Sequence, residues 1–270
     1  MKKKWIGGLS VVVALVIALA VWWAMDGSKG SNNEAGNEFN LVNPGKLTIV
    51  SSGGFVPFTD MEDGKMVGYD IDVGTEIAKI LGLEPQFEKA DFSGMITGIQ
   101  TGRYDIAINS HTITDERKKQ VSFTQPYYYS GSMIFSPPGS NIKTVDDLKG
   151  ATVALNRSTN FYVEAQAYTD KFDFYDDDLR ALQAVAEGHG DAGITDAISG
   201  QQAIANGLKL EAHQQFSKTE QAIPMAKDNE KLLEAINAAM DELKANGKLK
   251  ELSIKWIGFD ITQPPEDIVE

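Results

Sequence analysis

Short apolar runs alternate with helix-patterned stretches along this chain, and the alternation occurs twice. The first round opens with "LTIVS" (47–51), a strand run, followed by "YDIDVGTEIAKILG" (69–82), which sets Ile71, Ile77, Ile80 and Leu81 on one helical face. "PQFEKA" then reads as a strand, "FSGMITGIQTG" as a short helix ending on Gly102, and "DIAINS" (105–110) as a strand. The second round runs through "ATVALN" (151–156), a helix over 159–169, "KFDFYD" (171–176), a helix over 178–187, "AGITD" (192–196) and a helix over 197–206. This order predicts an α/β fold of mostly parallel sheets with helices on both faces. Two stretches break it: "SFTQPYYYSGSMIFSPP" (122–138), which carries Pro126, and "TEQAIPMAK" (219–227). The end, 229–258, regains helical periodicity with a break at Gly247. Two α/β units joined by two extended crossings predict two lobes about a hinge, with 46–128 plus 223–262 in one, 132–219 in the other and 263–270 as a tail. Ligands of such folds sit beyond the carboxyl ends of the strands, which here means the cleft between lobes.

The 270 residues, 42% of them hydrophobic, suffice for one large or two small cores. A formal net charge of -13 argues against nucleic acid and against anionic lipid, since both require a basic face. The absence of cysteine excludes disulfides, thiol nucleophiles and cysteine-held metals, and no cofactor is expected. At the start, three lysines precede an apolar run from Trp5 to Met25. Residues 1–25 therefore read as a signal peptide or a membrane anchor with the remainder exported, the Trp22–Trp23 pair after "ALA" (18–20) favouring the anchor. Residues 26–45, rich in Gly, Asn and Ser, read as a flexible linker, with the folded part starting at Leu47.

Local motifs say little by themselves. "GHGDAG" (188–193) matches a dinucleotide pattern letter for letter, but a helix precedes it and a strand follows, the reverse of what that pattern requires. His111, His189 and His213 have none of the usual metal-ligand spacings and read as loop or surface histidines. "YDDD" (175–178) lacks the spaced oxygens of a calcium loop and reads as a strand end plus helix capping, and the tyrosines of "PYYY" (126–129) as packing residues. "HTITDERKKQ" (111–120) taken alone is a wet helix: Thr114 caps it, Asp115 and Glu116 suit its positive first turn, and basic residues follow.

"GYDIDVGTEIAKIL" (68–81) resembles the signature of the solute-binding proteins of polar amino-acid ABC importers, bacterial extracellular solute-binding proteins of family 3. "GGFVPFT" (53–59), residues 91–131, "DDLKGATVAL" (146–155), "GDAGITD" (190–196) and "KLKELSIKWIGFDIT" (248–262) are similar to the same family, in order, from about Leu47 to Thr262. The resemblance implies a two-lobed periplasmic-binding-protein-like fold of type II that closes on a free L-amino acid and delivers it to an ABC permease outside the cytoplasm, the chain being a monomer. It also implies roles. Arg117 matches the arginine that grips the α-carboxylate, and Asp196 the aspartate that takes the α-ammonium. Ser110 and Thr112 add hydrogen bonds, with His111 between them in the same stretch; Phe55 and Phe92 sandwich the ligand side chain; Thr159 and Asn160 open a helix whose free N–H groups can meet the carboxylate.

The implied chemistry is coherent, because a zwitterion that loses its water needs a fixed partner for each charge, and a guanidinium pairs a carboxylate through two parallel hydrogen bonds. Ser52 stands where relatives that take basic amino acids often carry an acid, and Asn156 and Arg157 stand where selectivity is often set. "INSHTITDERKK", "STNF" and "YDDD" together resemble the cystine-binding branch of the family, which with Ser52, Asn156 and Arg157 implies cystine or another polar amino acid without net positive charge, cystine slightly ahead of glutamine and glutamate. Two other classes share the fold. A cyclohexadienyl dehydratase needs a proton donor, and the cleft residues above offer no acid beyond Asp196; a sensor needs an output domain, for which little chain follows the last helix.

Overall fold

Strand β1 (Lys46–Ser51) is buried along nearly its whole length because helices cover both faces of its sheet. The computed structural model describes residues 39–264. Parallel to β1 on either side run β4 (Glu84–Lys89) and β5 (Ile106–Ala107). Successive β1 side chains serve different layers, as the strand period of two requires. Leu47 and Ile49 join Tyr69, Val73 and Ile77 of helix α1 (Tyr69–Ile80), while Val50 joins Met95 and Ile99 of α2 (Phe92–Gln100). The hairpin β2 (Asp60–Glu62) and β3 (Lys65–Val67) leads into α1 through Gly68, whose φ of 129° and approach to the Phe58 carbonyl, 2.2 Å from where a Cβ would stand, require glycine. The short helix α3 (Asp115–Gln120) precedes β6 (Ser122–Phe123).

The chain then leaves this sheet through β7 (Tyr128–Ser130). The second sheet, in spatial order, is β10 (Lys171–Phe174), β9 (Thr152–Leu155), β11 (Ala192–Asp196), β8 (Ser132–Ser136) and β12 (Glu211–Gln215). Helix α4 (Asn160–Ala165) covers one face, where Phe161 meets Ile134, Leu155 and Ile194. Helices α5 (Asp178–Ala186) and α6 (Ala197–Ala205) cover the other, where Leu182, Val185 and Ala197 meet Phe135 and Ala154. The return crossing, β13 (Thr219–Gln221), pairs antiparallel with β7, so both crossings form one two-stranded ribbon. Next, β14 (Pro224–Met225) re-enters the first sheet, whose order is β4-β1-β5-β14-β6. Helices α7 (Glu230–Ala245) and α8 (Lys248–Ile257), separated by the left-handed Gly247, add Leu232, Ile236, Met240 and Leu252 to the core under α1.

Three expectations need correction. Each sheet has two parallel and two antiparallel pairings, because strands entered by way of the crossings run against those built by strand–helix–strand units. The expected helix over 159–169 ends at Ala165. The folded part begins before Leu47: Phe39 and Leu41 pack on the core under α1, Val42 N–H donates to Asp105 (2.8 Å) and Asn229 donates to the Phe39 carbonyl (2.7 Å). The anchor or signal peptide of 1–25 and the rest of the linker lie outside the described residues, among which no helix is long and apolar enough to cross a membrane.

Candidate functional site

The charge run at the end of β5 resolves residue by residue. Thr114 caps α3 by accepting from the Arg117 N–H (3.2 Å), and Lys119 pairs with Glu116 in solvent. Arg117 alone turns inward and is 9% exposed. Its guanidinium lies over the Phe92 ring (5.3 Å), donates to the Thr112 carbonyl (2.9 Å) and reaches across to the Ser158 carbonyl in the other lobe (3.3 Å). No carboxylate pairs with it among the described residues. Burial lowers its pKa to about 10, which keeps it cationic at neutral pH.

In the second lobe, Asp196 ends β11 and caps α6, accepting from the Ile198 (2.9 Å) and Ser199 (3.1 Å) N–H groups. Burial pushes its carboxyl up to about 6, and the nearby Ser130 hydroxyl and those helix N–H groups oppose the rise. A buried cation and a buried anion thus stand on separate lobes, each lacking an ionic partner among the described residues.

Between the lobes runs a cleft of about 620 Å³. Seven of the sequence candidates line it: Ser52, Phe55, Phe92, Ser110, Asn156, Thr159 and Asn160. The other four, His111, Thr112, Arg117 and Asp196, sit buried outside this lining. Ser110 is held in the left-handed region (φ 54°), a conformation that costs a non-glycine residue roughly 1–3 kcal/mol. Its hydroxyl donates to Asp70 (3.0 Å), its N–H donates to the Tyr127 hydroxyl (3.2 Å), and that hydroxyl donates to Asp70 (2.7 Å). Asp70 is fully buried at the start of α1, and burial pushes its carboxyl up to about 7.

His111 is not a surface residue. It is buried, stacks on Phe92 (4.6 Å) and has neither ring nitrogen hydrogen-bonded among the described residues. Burial, then the Arg117 charge, holds its pKa well below the ordinary histidine value, so the ring is neutral. His111, Phe92 and Arg117 therefore form one stacked unit.

Two selectivity candidates are engaged otherwise than expected. The Asn156 amide donates to the Asp176 carbonyl (2.9 Å) and accepts from the Ser158 N–H (2.9 Å), so it shapes its own loop. Thr159 donates to the Asn156 carbonyl (2.8 Å) and Asn160 to Glu164 (2.8 Å), while Arg157 lies over the Phe174 ring (3.9 Å) at the rim. Nor does Ser52 leave the cleft without carboxylates: Asp91, Asp176, Asp177 and Asp178 line it along with Lys89, Arg157 and Arg180. The expectation that Asp196 is the one acid at hand fails for the same reason. Sequence reasoning missed Asp70 because it sits inside a helix pattern, and Asp178 because it ends a run that fits capping.

Two α/β lobes on a paired hinge, a polar cleft between them and unpaired buried charges of opposite sign on the two lobes define a bilobal solute-binding protein. Residues 47–259 match the model of the bacterial extracellular solute-binding proteins, family 3, and the chain belongs to that family. It is 34% identical over 226 residues to the L-cystine-binding protein TcyJ of Escherichia coli (strain K12), covering 81% of this chain and 85% of that one. It is 34% identical over 269 residues to the probable amino-acid-binding protein YxeM of Bacillus subtilis (strain 168), covering 96% and 97%. Among solved structures, an ancestral arginine-binding protein bound to arginine superposes with a TM-score of 0.75 at 33% identity, covering 79% of this chain and 99% of that one.

Proposed function

We propose that this protein captures a free α-amino acid outside the cytoplasm by closing its two lobes on it, and presents it to an ABC permease without chemical turnover. The observation that carries this reading is the pairing of Arg117 with Asp196: a buried guanidinium and a buried carboxylate, one per lobe, each without an ionic partner among the described residues. A zwitterion supplies both missing charges at once, and its α-groups bind the closed arrangement better than the open one, which drives closure. Residues 46–128 plus 223–262 move as one lobe and 132–219 as the other, and the chain acts as a monomer held at the membrane by residues 1–25.

For the ligand's identity we favour cystine. A cleft of about 620 Å³ exceeds what a small side chain needs, and its lining carries both signs of charge, with Lys89 and Arg157 for a second carboxylate. The cystine specificity in the name of one relative points the same way. Mass spectrometry of ligand released from the purified protein, followed by titration calorimetry with cystine, glutamine, glutamate, histidine and arginine, tests the reading. Tight arginine binding with no response to the others would overturn the preference for cystine. Failure of every amino acid to bind would overturn the function.

A further inference from the structure

Beside the cleft lies a second cavity of about 360 Å³, and Gly54, Phe55 and Asp178 line both spaces. The three consecutive acids between β10 and the start of α5 divide their work. Asp176 and Asp177 share Arg180 (3.9 and 3.2 Å), and Asp177 caps α5 by accepting from the Arg180 N–H (2.8 Å). Asp178 turns inward, is buried, and keeps no cation among the described residues. One of its oxygens, Oδ1, accepts no hydrogen bond. The hydroxyls of Thr195 and Ser199 line the same cavity and are also buried; Thr195 stands against the Asp178 carboxylate, and Ser199 Oγ has no hydrogen-bond partner among the described residues. A buried carboxylate and two buried hydroxyls therefore border one cavity, with Asp178 Oδ1 and Ser199 Oγ unpaired among the described residues; its remaining wall includes Leu182 and Leu208. Groups of this kind are ordinarily hydrogen-bonded when buried, and leaving them bare is costly. An ammonium carries three N–H donors and one positive charge, which matches a carboxylate beside two hydroxyls.

We propose that Asp178 is the seat of a second cationic nitrogen on the ligand, so that this protein selects amino acids bearing two ammonium groups. The inference rests on the amino-acid reading above, with Arg117 and Asp196 holding the first α-amino acid head. The shared chemistry has two sources: a dimeric amino acid with two α-ammonium groups, such as cystine, or a diamino acid with an ammonium on its side chain, such as ornithine or lysine. Burial, then the nearby negative charges of Asp177 and Asp196, pushes the Asp178 carboxyl up to about 7 against the opposing Thr195 hydrogen bond, so a cation placed there must pull it down again.

Titration calorimetry on the parent and on Asp178→Asn, with cystine, ornithine, lysine and glutamine, tests the proposal. The amide keeps the size of the side chain, and circular dichroism checks that the variant folds. The expected result is at least a 30-fold loss of affinity for whichever two-nitrogen ligand the parent binds, with any glutamine affinity changed less than threefold. The loss falling on cystine or on the diamino acids tells the two sources apart. Carbon NMR of the labelled Asp178 carboxyl adds a second readout: its titration midpoint should drop by two pH units or more with that ligand and stay put with glutamine. An equal loss for all ligands, no loss, or a parent that binds only glutamine overturns the proposal and leaves the amino-acid reading intact. A parent that binds none of the four overturns this proposal, and one that also fails to bind glutamate, histidine and arginine overturns the amino-acid reading too.

Discussion

Arg117 and Asp196 are each a buried charge with no ionic partner among the described residues, and each is held by its own element: Arg117 by the first turn of α3, Asp196 by capping α6. Arg117→Ala is expected to leave the fold intact and to weaken amino-acid binding by on the order of 2–5 kcal/mol, the cost of stranding one member of a buried charge pair. Calorimetry measures it, and binding as tight as the parent's would refute the clamp. His111 makes a sharper test of local electrostatics. Held below its ordinary pKa by burial and by Arg117, its imidazole should remain neutral at pH 6 in nitrogen-edited NMR, and a protonated signal there would contradict the stacked arrangement. Asp70 shifts the opposite way. Its folded pKa of about 7 lies above the unfolded carboxylate value, so the folded state holds a proton that the unfolded state releases. Its stabilising effect is therefore complete below about pH 4 and fades as pH climbs to about 7, at up to about 1.4 kcal/mol per pH unit. Urea midpoints at pH 4.5 and 7.5 should show Asp70→Asn gaining on the parent at the higher pH.

At the scale of elements, the two crossings depend on close backbone approach. Gly131 joins β7 to β8, and a Cβ there would fall 1.9 Å from the Ser217 carbonyl oxygen on the returning strand. That carbonyl is backbone and cannot rotate away, although the Gln215 side-chain amide, which the Cβ would also meet, can. Gly131→Ala should push the crossings apart and destabilise the protein by about 1–3 kcal/mol, the range for an overpacked site, read as a lowered urea midpoint. An unchanged midpoint would show that the ribbon is looser than its pairing of Tyr128 with Gln221 implies.

For the whole molecule, contacts between the lobes among the described residues include Arg117 reaching the Ser158 carbonyl and Ile198 of α6 joining the core of the opposite lobe. Such an interface is readily opened and closed, and a ligand with charges for both lobes biases it toward closed. Adding the cognate amino acid should lower the radius of gyration in solution scattering while helix content by circular dichroism stays fixed. A scattering curve indifferent to saturating ligand would argue against hinge closure.

The alternation of strand and helix patterns was enough to place two α/β units and two crossings, because the period of each element is set by which of its own neighbours must be buried. The strand "AGITD" and the helix break at Gly247 fall where the pattern puts them. Motif order was enough for the family, and Arg117 was separable from its charged neighbours through that order, not through local spacing. Other features belong to the tertiary structure alone. The antiparallel half of each sheet depends on the direction in which the crossings re-enter, which no local run encodes. His111 is buried because Phe92, nineteen positions earlier by number, stacks on it. Asn156 spends its amide on a loop that folding brings beneath it. Asp70 and Asp178 look like helix-start acids in sequence, and only packing removes their water and shifts their protons. A residue's pattern is written in its neighbours along the chain; its charge state and its partners are written in the neighbours it meets in space.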